Sequence, residues 1–295
     1  MTTSMASALS PAIEAEELLW DLPGSGRVLC YHRPGQGRPL LLLHSINAAP
    51  SAYEVSPFFT RMKLKRPLYA PDLPGFGRSN REDRRYSPEF FAGAIREVIA
   101  AIGPDPVDVV ALSTTAEFTA LAAAHHPDCF NKLVFVSPTG FSRRKPRRSA
   151  DQGAAGDNSK FLKFLRLPMV GTGLFRALRS RKSVSFFLNM AFKEHAPVEM
   201  VVYALATAAQ PGAQFAPFYF LSGQLFSPDA IGELYSQIQQ ETLVLYDKDP
   251  NVGLGLLDDF VNASQNWHAH RVPETLGLPH FEKPAETERA LLNFL

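Results

Sequence analysis

Three residues with the chemistry of acyl transfer stand far apart in the chain: Ser113, Asp249 and His280. Ser113 closes the apolar run VDVVALS and precedes the Ala-rich stretch TTAEFTALAAAHH, so it falls where a buried strand gives way to a helix. A serine on such a turn projects its Oγ above the sheet, and the next backbone N–H can bind an oxyanion. As an ordinary N-cap the same serine would do no chemistry. Asp249 ends the run TLVLYDKDP, and a carboxylate at a strand's C-terminal edge faces the side where open α/β sheets build sites. Asp247 offers the same group two residues earlier, and either aspartate suits the turn. His280, in the Pro-flanked segment GLPHFEKPAE, supplies an imidazole that could take a serine proton and return it.

Short runs rich in Val, Leu and Ile provide the elements that must position these groups. They are RVLCYH (27–32), PLLLLH (39–44), RPLYAPD (66–72), VDVVALS (107–113), KLVFVSP (132–138) and TLVLYD (242–247), with a short alternating NWHAHRV as a last strand. Apolar runs without alternation are strands buried on both faces, hence a mostly parallel sheet flanked by helices. Helices are expected at 87–102, opened by Ser-Pro, at 115–125, and at 285–295. From 140 to 239 the rhythm changes. No comparable strand appears, and apolar residues recur at helical spacing in FLKFLRL, LFRAL, VSFFLNMAF and VEMVVYALATAA. The expected organisation is therefore a core of 1–139 and 240–295 with a helical cap, 140–239, inserted in it.

Composition narrows the function classes. The chain has 295 residues, 45% hydrophobic and 20% charged, enough for one large core and against extensive disorder. A net charge of +1 argues against a globally basic nucleic-acid binder. Cys30 and Cys129 alone build neither a disulfide framework nor a cysteine-rich zinc site, so a reducing compartment is expected. The first residues have no basic n-region and place Glu14, Glu16 and Glu17 where a signal peptide would be apolar, and no run is long enough to span a membrane. A cytoplasmic location follows as the expectation. His268 and His270 lack a third ligand nearby in sequence, and His125 and His126 stand at a helix end, so no metal is expected. The glycine pairs at 171/173 and 253/255 lack the third glycine and the strand of a dinucleotide fingerprint, so no nucleotide cofactor is expected either.

The order Ser113, Asp249, His280, together with LLLLHSINAAPSAYE (40–54) and APDLPGFGRSNRED (70–83), resembles the α/β-hydrolase superfamily in its serine-nucleophile branch. The likeness covers about 27–140 and 240–295, and its most specific element is PDLPGFGRS, similar to the family's D-x-P-G-x-G-x-S stretch. It implies an α/β-hydrolase fold with a mostly parallel central sheet and a cap. It also implies a nucleophile at Ser113, an acid at Asp249, a base at His280, and an oxyanion hole from the N–H groups of Ile46 and Thr114. Three positions depart from the family's pattern. Ala111-Leu112-Ser113-Thr114-Thr115 replaces G-x-S-x-G, with β-branched Thr115 expected to crowd the helix against the strand. Ser45 replaces a glycine, which would be costly if the loop needed positive φ there. Gly277-Leu278 precedes Pro279-His280-Phe281-Glu282 where the family often reads Gly-His, so the alignment shifts by a residue or more and leaves His280 as that loop's histidine.

The implied activity is hydrolysis of a small to medium hydrophobic carboxylic ester through an acyl-enzyme, without cofactor. Thioester, amide and carbon-carbon bond hydrolysis share that triad. The alternative is a ligand-binding protein on the same scaffold with slow or lost catalysis. Residues 140–193 carry thirteen Lys and Arg against Asp151 and Asp157, interleaved with Leu and Phe, which suits either a solvated basic face or peripheral membrane contact.

Overall fold

The computed structural model of the protein describes residues 9–143 and 158–295. The basic run at 144–148 and most of the polar, Gly-containing stretch at 149–159 lie outside the described residues.

Eight strands form one sheet: β1 (Glu16–Leu22), β2 (Gly26–Arg33), β3 (Leu40–Leu43), β4 (Leu68–Pro71), β5 (Val107–Leu112), β6 (Phe130–Val136), β7 (Glu241–Tyr246) and β8 (Trp267–Arg271). Their order is β1-β2-β4-β3-β5-β6-β7-β8. β1, β2 and β4 pair antiparallel, and every pair from β4 to β8 is parallel. All residues of β3 and β5 are buried, as central parallel strands covered on both faces require. Fully burying a Val or Leu side chain contributes about 1.5–3 kcal/mol, so these two strands anchor the core. β1 was not expected from the sequence. It is a half-exposed edge strand that closes a hairpin with β2.

Helices cover both faces. In chain order they are α1 (Ser56–Thr60), α2 (Pro88–Ile102), α3 (Thr115–His125), α4 (Asn158–Leu165), α5 (Pro168–Leu178), α6 (Arg181–Asn189), α7 (Val198–Ala208), α8 (Phe215–Leu221), α9 (Ala230–Glu233), α10 (Leu257–Ala263), α11 (Pro279–Glu282) and α12 (Pro284–Phe294). α2 begins where Ser87 Oγ accepts from Phe90 N with Pro88 at the first turn, and it stops at Gly103. Between β6 and β7 the described residues contribute α4 to α9 and no strand. No helix among the described residues is long and apolar enough to cross a membrane.

The PDLPGFGRS segment works as a staple beneath the site. Asp72 is fully buried, and its two oxygens accept from Ala52 N and Arg78 N, both at 2.8 Å. Gly77 has φ 52°, and a Cβ there would lie 1.9 Å from Asp72 Cγ, so both conformation and space demand glycine. The loop after β3 is thereby tied to the loop after β4.

Candidate active site

Ser113 sits between β5 and α3 with φ 51°, a left-handed conformation that costs a non-glycine residue on the order of 1–3 kcal/mol. The strand holds one side of it, with Ser113 N donating to Val136 O at 2.9 Å, and the helix the other, with Ala116 N donating to Ser113 O at 3.1 Å. The backbone is thus forced into the sharp turn that lifts a side chain over the sheet's C-terminal edge.

Thr115, a β-branched residue of this junction, has a specific partner. It is fully buried, and its Oγ1 donates to His44 O at 2.7 Å, fastening the helix start to the loop after β3. Ser45 departs from glycine at no conformational cost, since it has no positive φ. Its N–H donates to Glu54 Oε2 at 2.8 Å, while Asn47 Nδ2 donates to Glu54 Oε1 and to Ser45 Oγ, each at 2.9 Å. His44 Nε2 accepts from Leu73 N at 2.9 Å, so its Nδ1 carries the proton given to Ser45 O at 2.6 Å. Burial pushes the His44 imidazole down to about 4 despite that bond, keeping it neutral. Burial also raises the Glu54 carboxyl above its ordinary range, against the bonds from Ser45 and Asn47. Glu54 and the pinning role of His44 were missed by sequence reasoning. The available signal was a single acid inside the apolar stretch SAYEVSPFF.

A cavity of about 290 Å³ opens over this turn, and Ser113, Thr114, Ile46, Glu54, Asp249 and Gly277 all line it. Most of the remaining wall is apolar, from Leu178, Val184, Phe187 and Leu188 of α5 and α6 to Phe220 and Leu221 of α8. Among the described residues no protein group takes up the N–H of Ile46 or Thr114. Asp249 Oδ1 accepts from Asn251 N at 2.7 Å, and burial raises its carboxyl in spite of that bond and one from Val252. Asp247 is elsewhere: it pairs with Arg271 at 2.6 Å and accepts from Thr275 N.

His280 is not brought to Ser113. It is fully buried on α11, stacked on Phe58 with ring centroids 5.0 Å apart, and its Nε2 donates to Glu54 O at 2.7 Å. Burial pushes its imidazole down to about 4, and its Nδ1 has no partner among the described residues. All eight histidines are among the described residues, and none of them lines the cavity. His268 and His270 lie on a separate groove of about 770 Å³ along β8 and α12, where His268 pairs with Glu241.

Gly277 fills the position that faces the acid. A Cβ built there would stand 2.8 Å from Asp249 Oδ2 and 3.4 Å from Ala191 Cβ, and its φ is not in the left-handed region. A side chain is therefore conformationally allowed at 277 and would project onto the carboxylate. Counting back from Pro279-His280-x-Glu282-x-Pro284 would have pointed to this residue.

A mostly parallel sheet ending in a strained serine turn, with an acid after β7 lining the same cavity, is the architecture of an α/β hydrolase. The chain belongs to the alpha/beta hydrolase family, whose pattern it matches over residues 40–290. Among curated relatives it is 29% identical over 125 residues to human "1-acylglycerol-3-phosphate O-acyltransferase ABHD5", which is 41% of this chain and 35% of that one. It is 30% identical over 112 residues to the 2-hydroxymuconate semialdehyde hydrolase of Pseudomonas putida, 38% of this chain and 40% of that one. The matches thus span well under half the length of these relatives. In solved structures, an esterase from Exiguobacterium antarcticum superposes with a TM-score of 0.74 at 13% identity, covering 95% of this chain and 99% of that one. The epoxide hydrolase CorEH gives 0.73 at 17% identity, covering 95% and 98%. At such identities these likenesses speak for the fold alone.

Proposed function

We propose that the chain captures a small to medium hydrophobic carboxylic ester, or a related acyl compound, over Ser113 and turns it over slowly or not at all. The helices between β6 and β7 act as the cap that roofs the ligand. The carbonyl oxygen docks on the Ile46 and Thr114 N–H groups, and Ser113 Oγ faces the carbonyl carbon. One observation carries the reading: Gly277, not an imidazole, faces Asp249, while His280 is committed to Glu54 O and Phe58. Without a base the serine keeps its proton and stays a weak nucleophile. Oxyanion donors and binding alone still give about 10³–10⁴-fold over water when a triad member is missing from studied serine proteases.

A second reading, a fully active ester hydrolase using Ser113, Asp249 and His280, is favoured by the strain retained at Ser113. It requires His280 to leave its buried seat. Turnover of p-nitrophenyl hexanoate and labelling by a fluorophosphonate separate the two. Slow labelling that Ser113→Ala abolishes, with residual turnover unchanged within about twofold in His280→Gln, is the expected result. Fast turnover that His280→Gln eliminates would establish the second reading and reject the first.

A further inference from the structure

Helices α4, α5 and α6 present an unusual surface. Phe161, Phe164, Leu167, Met169, Phe186 and Phe187 are all exposed there, Met169 by 90% and Phe186 by 61%. Phe161 stacks on Phe164 and Phe186 meets Phe187 edge to face, so the rings form two aromatic pairs rather than scattered single residues. Monomeric proteins seldom leave so many large apolar side chains uncovered in one stretch. Between residues 158 and 193 there are eight Lys and Arg and no Asp or Glu. Lys163, Arg176, Arg181 and Lys182 form no ion pair among the described residues.

We infer that this surface docks on an anionic lipid bilayer, with the aromatic pairs seated at the headgroup boundary and the free cations against lipid phosphates. Charge complementarity selects that occupant. A second copy of the chain would bring the same cations face to face across a two-fold axis with no Asp or Glu of residues 158–193 to answer them, whereas an anionic bilayer answers every one. The net charge of +1 means the rest of the molecule is acidic, so a negatively charged surface also orients the protein basic side down. The same helices contribute Leu178, Val184, Phe187 and Leu188 to the cavity, so the docked face lies beside the roof of the site. Docking does not depend on what Ser113 does.

Sedimentation with vesicles tests it. The full chain should bind vesicles of about 30% phosphatidylglycerol in phosphatidylcholine at low salt at least tenfold more tightly than pure phosphatidylcholine. Binding should weaken by at least tenfold as salt shortens the Debye length toward about 3 Å at 1 M. The charge variant Lys163→Glu/Arg181→Glu/Lys182→Glu should lose at least tenfold, and the apolar variant Phe161→Ser/Phe164→Ser/Phe186→Ser should lose binding at every salt concentration. All six positions avoid the cavity wall, and an unchanged circular dichroism spectrum and thermal midpoint serve as the folding control. Absence of binding at low salt, equal binding to both vesicle types, or loss in neither variant overturns the inference. So does a concentration-dependent dimer of the free protein that the apolar variant abolishes.

Discussion

Gly277→His restores a side chain at the position that faces Asp249. The new Cβ would fall 2.8 Å from Asp249 Oδ2, closer than ordinary contact, but the obstacle is the end of a side chain rather than backbone. Asn251 N holds Oδ1 at 2.7 Å, so the carboxylate can turn about that bond and present Oδ2 to the imidazole. Gly277 has no left-handed φ, which spares the variant backbone strain. A placed general base contributes about 10²–10⁴-fold, or roughly 2.7–5.4 kcal/mol of barrier. The expected outcome is a rise of at least 10² in kcat/KM for p-nitrophenyl hexanoate. Ser113→Ala in that background should erase the gain. Asp249→Asn should cost more than tenfold in the histidine variant and almost nothing in the natural chain, because the carboxylate has an imidazole to orient only in the former. A folded Gly277→His protein with no increase would refute the assignment of this slot to the missing base. Activity that starts at the level of a complete triad and falls on substitution would refute the proposed function with it.

Two further outcomes rest on other contacts. Thr115→Val keeps the shape but removes the hydroxyl that donates to the buried His44 carbonyl, and should lower unfolding stability by about 1–3 kcal/mol in a urea titration; an unchanged midpoint would mean the bond is not made. Glu117 is held by the Thr139 hydroxyl and Ser227 N, and burial lifts its carboxyl from 4.5 to about 7. Between those values the native state keeps a proton that the unfolded chain has released, so stability falls as pH rises through the window, by up to about 3 kcal/mol above it. Glu117→Gln should therefore stabilise the protein at pH 8 and much less at pH 5, and a pH-independent difference would contradict the buried proton.

The central strands were legible because burial on both faces writes itself as unbroken apolar runs. β1 was not: EELLWDL carries three acids and a half-exposed pattern, and only the hairpin with β2 makes it a strand. Ser113 and Asp249 could be placed from strand ends, since a parallel sheet brings its C-terminal edges together. His280 could not be placed, because which way a residue faces on a four-residue helix depends on Phe58 and Glu54, more than 200 positions earlier. Ser45 and Thr115 look out of place only when each position is taken by itself. Thr115 answers the His44 carbonyl and Glu54 answers the Ser45 N–H, so substitutions that look costly one at a time are compatible as a set.

The bond from His280 to Glu54 O spans 226 positions, and Arg61 reaches Phe281 O across 220. A ribosome emits residues in order, so the loop after β3 must wait for α11 before its underside is covered. Until then Phe58 and the Glu54 carbonyl have no cover from that side, and contacts between residues so far apart in sequence form later than local ones. The floor of the cavity is accordingly complete only when residues more than 200 positions apart have come together.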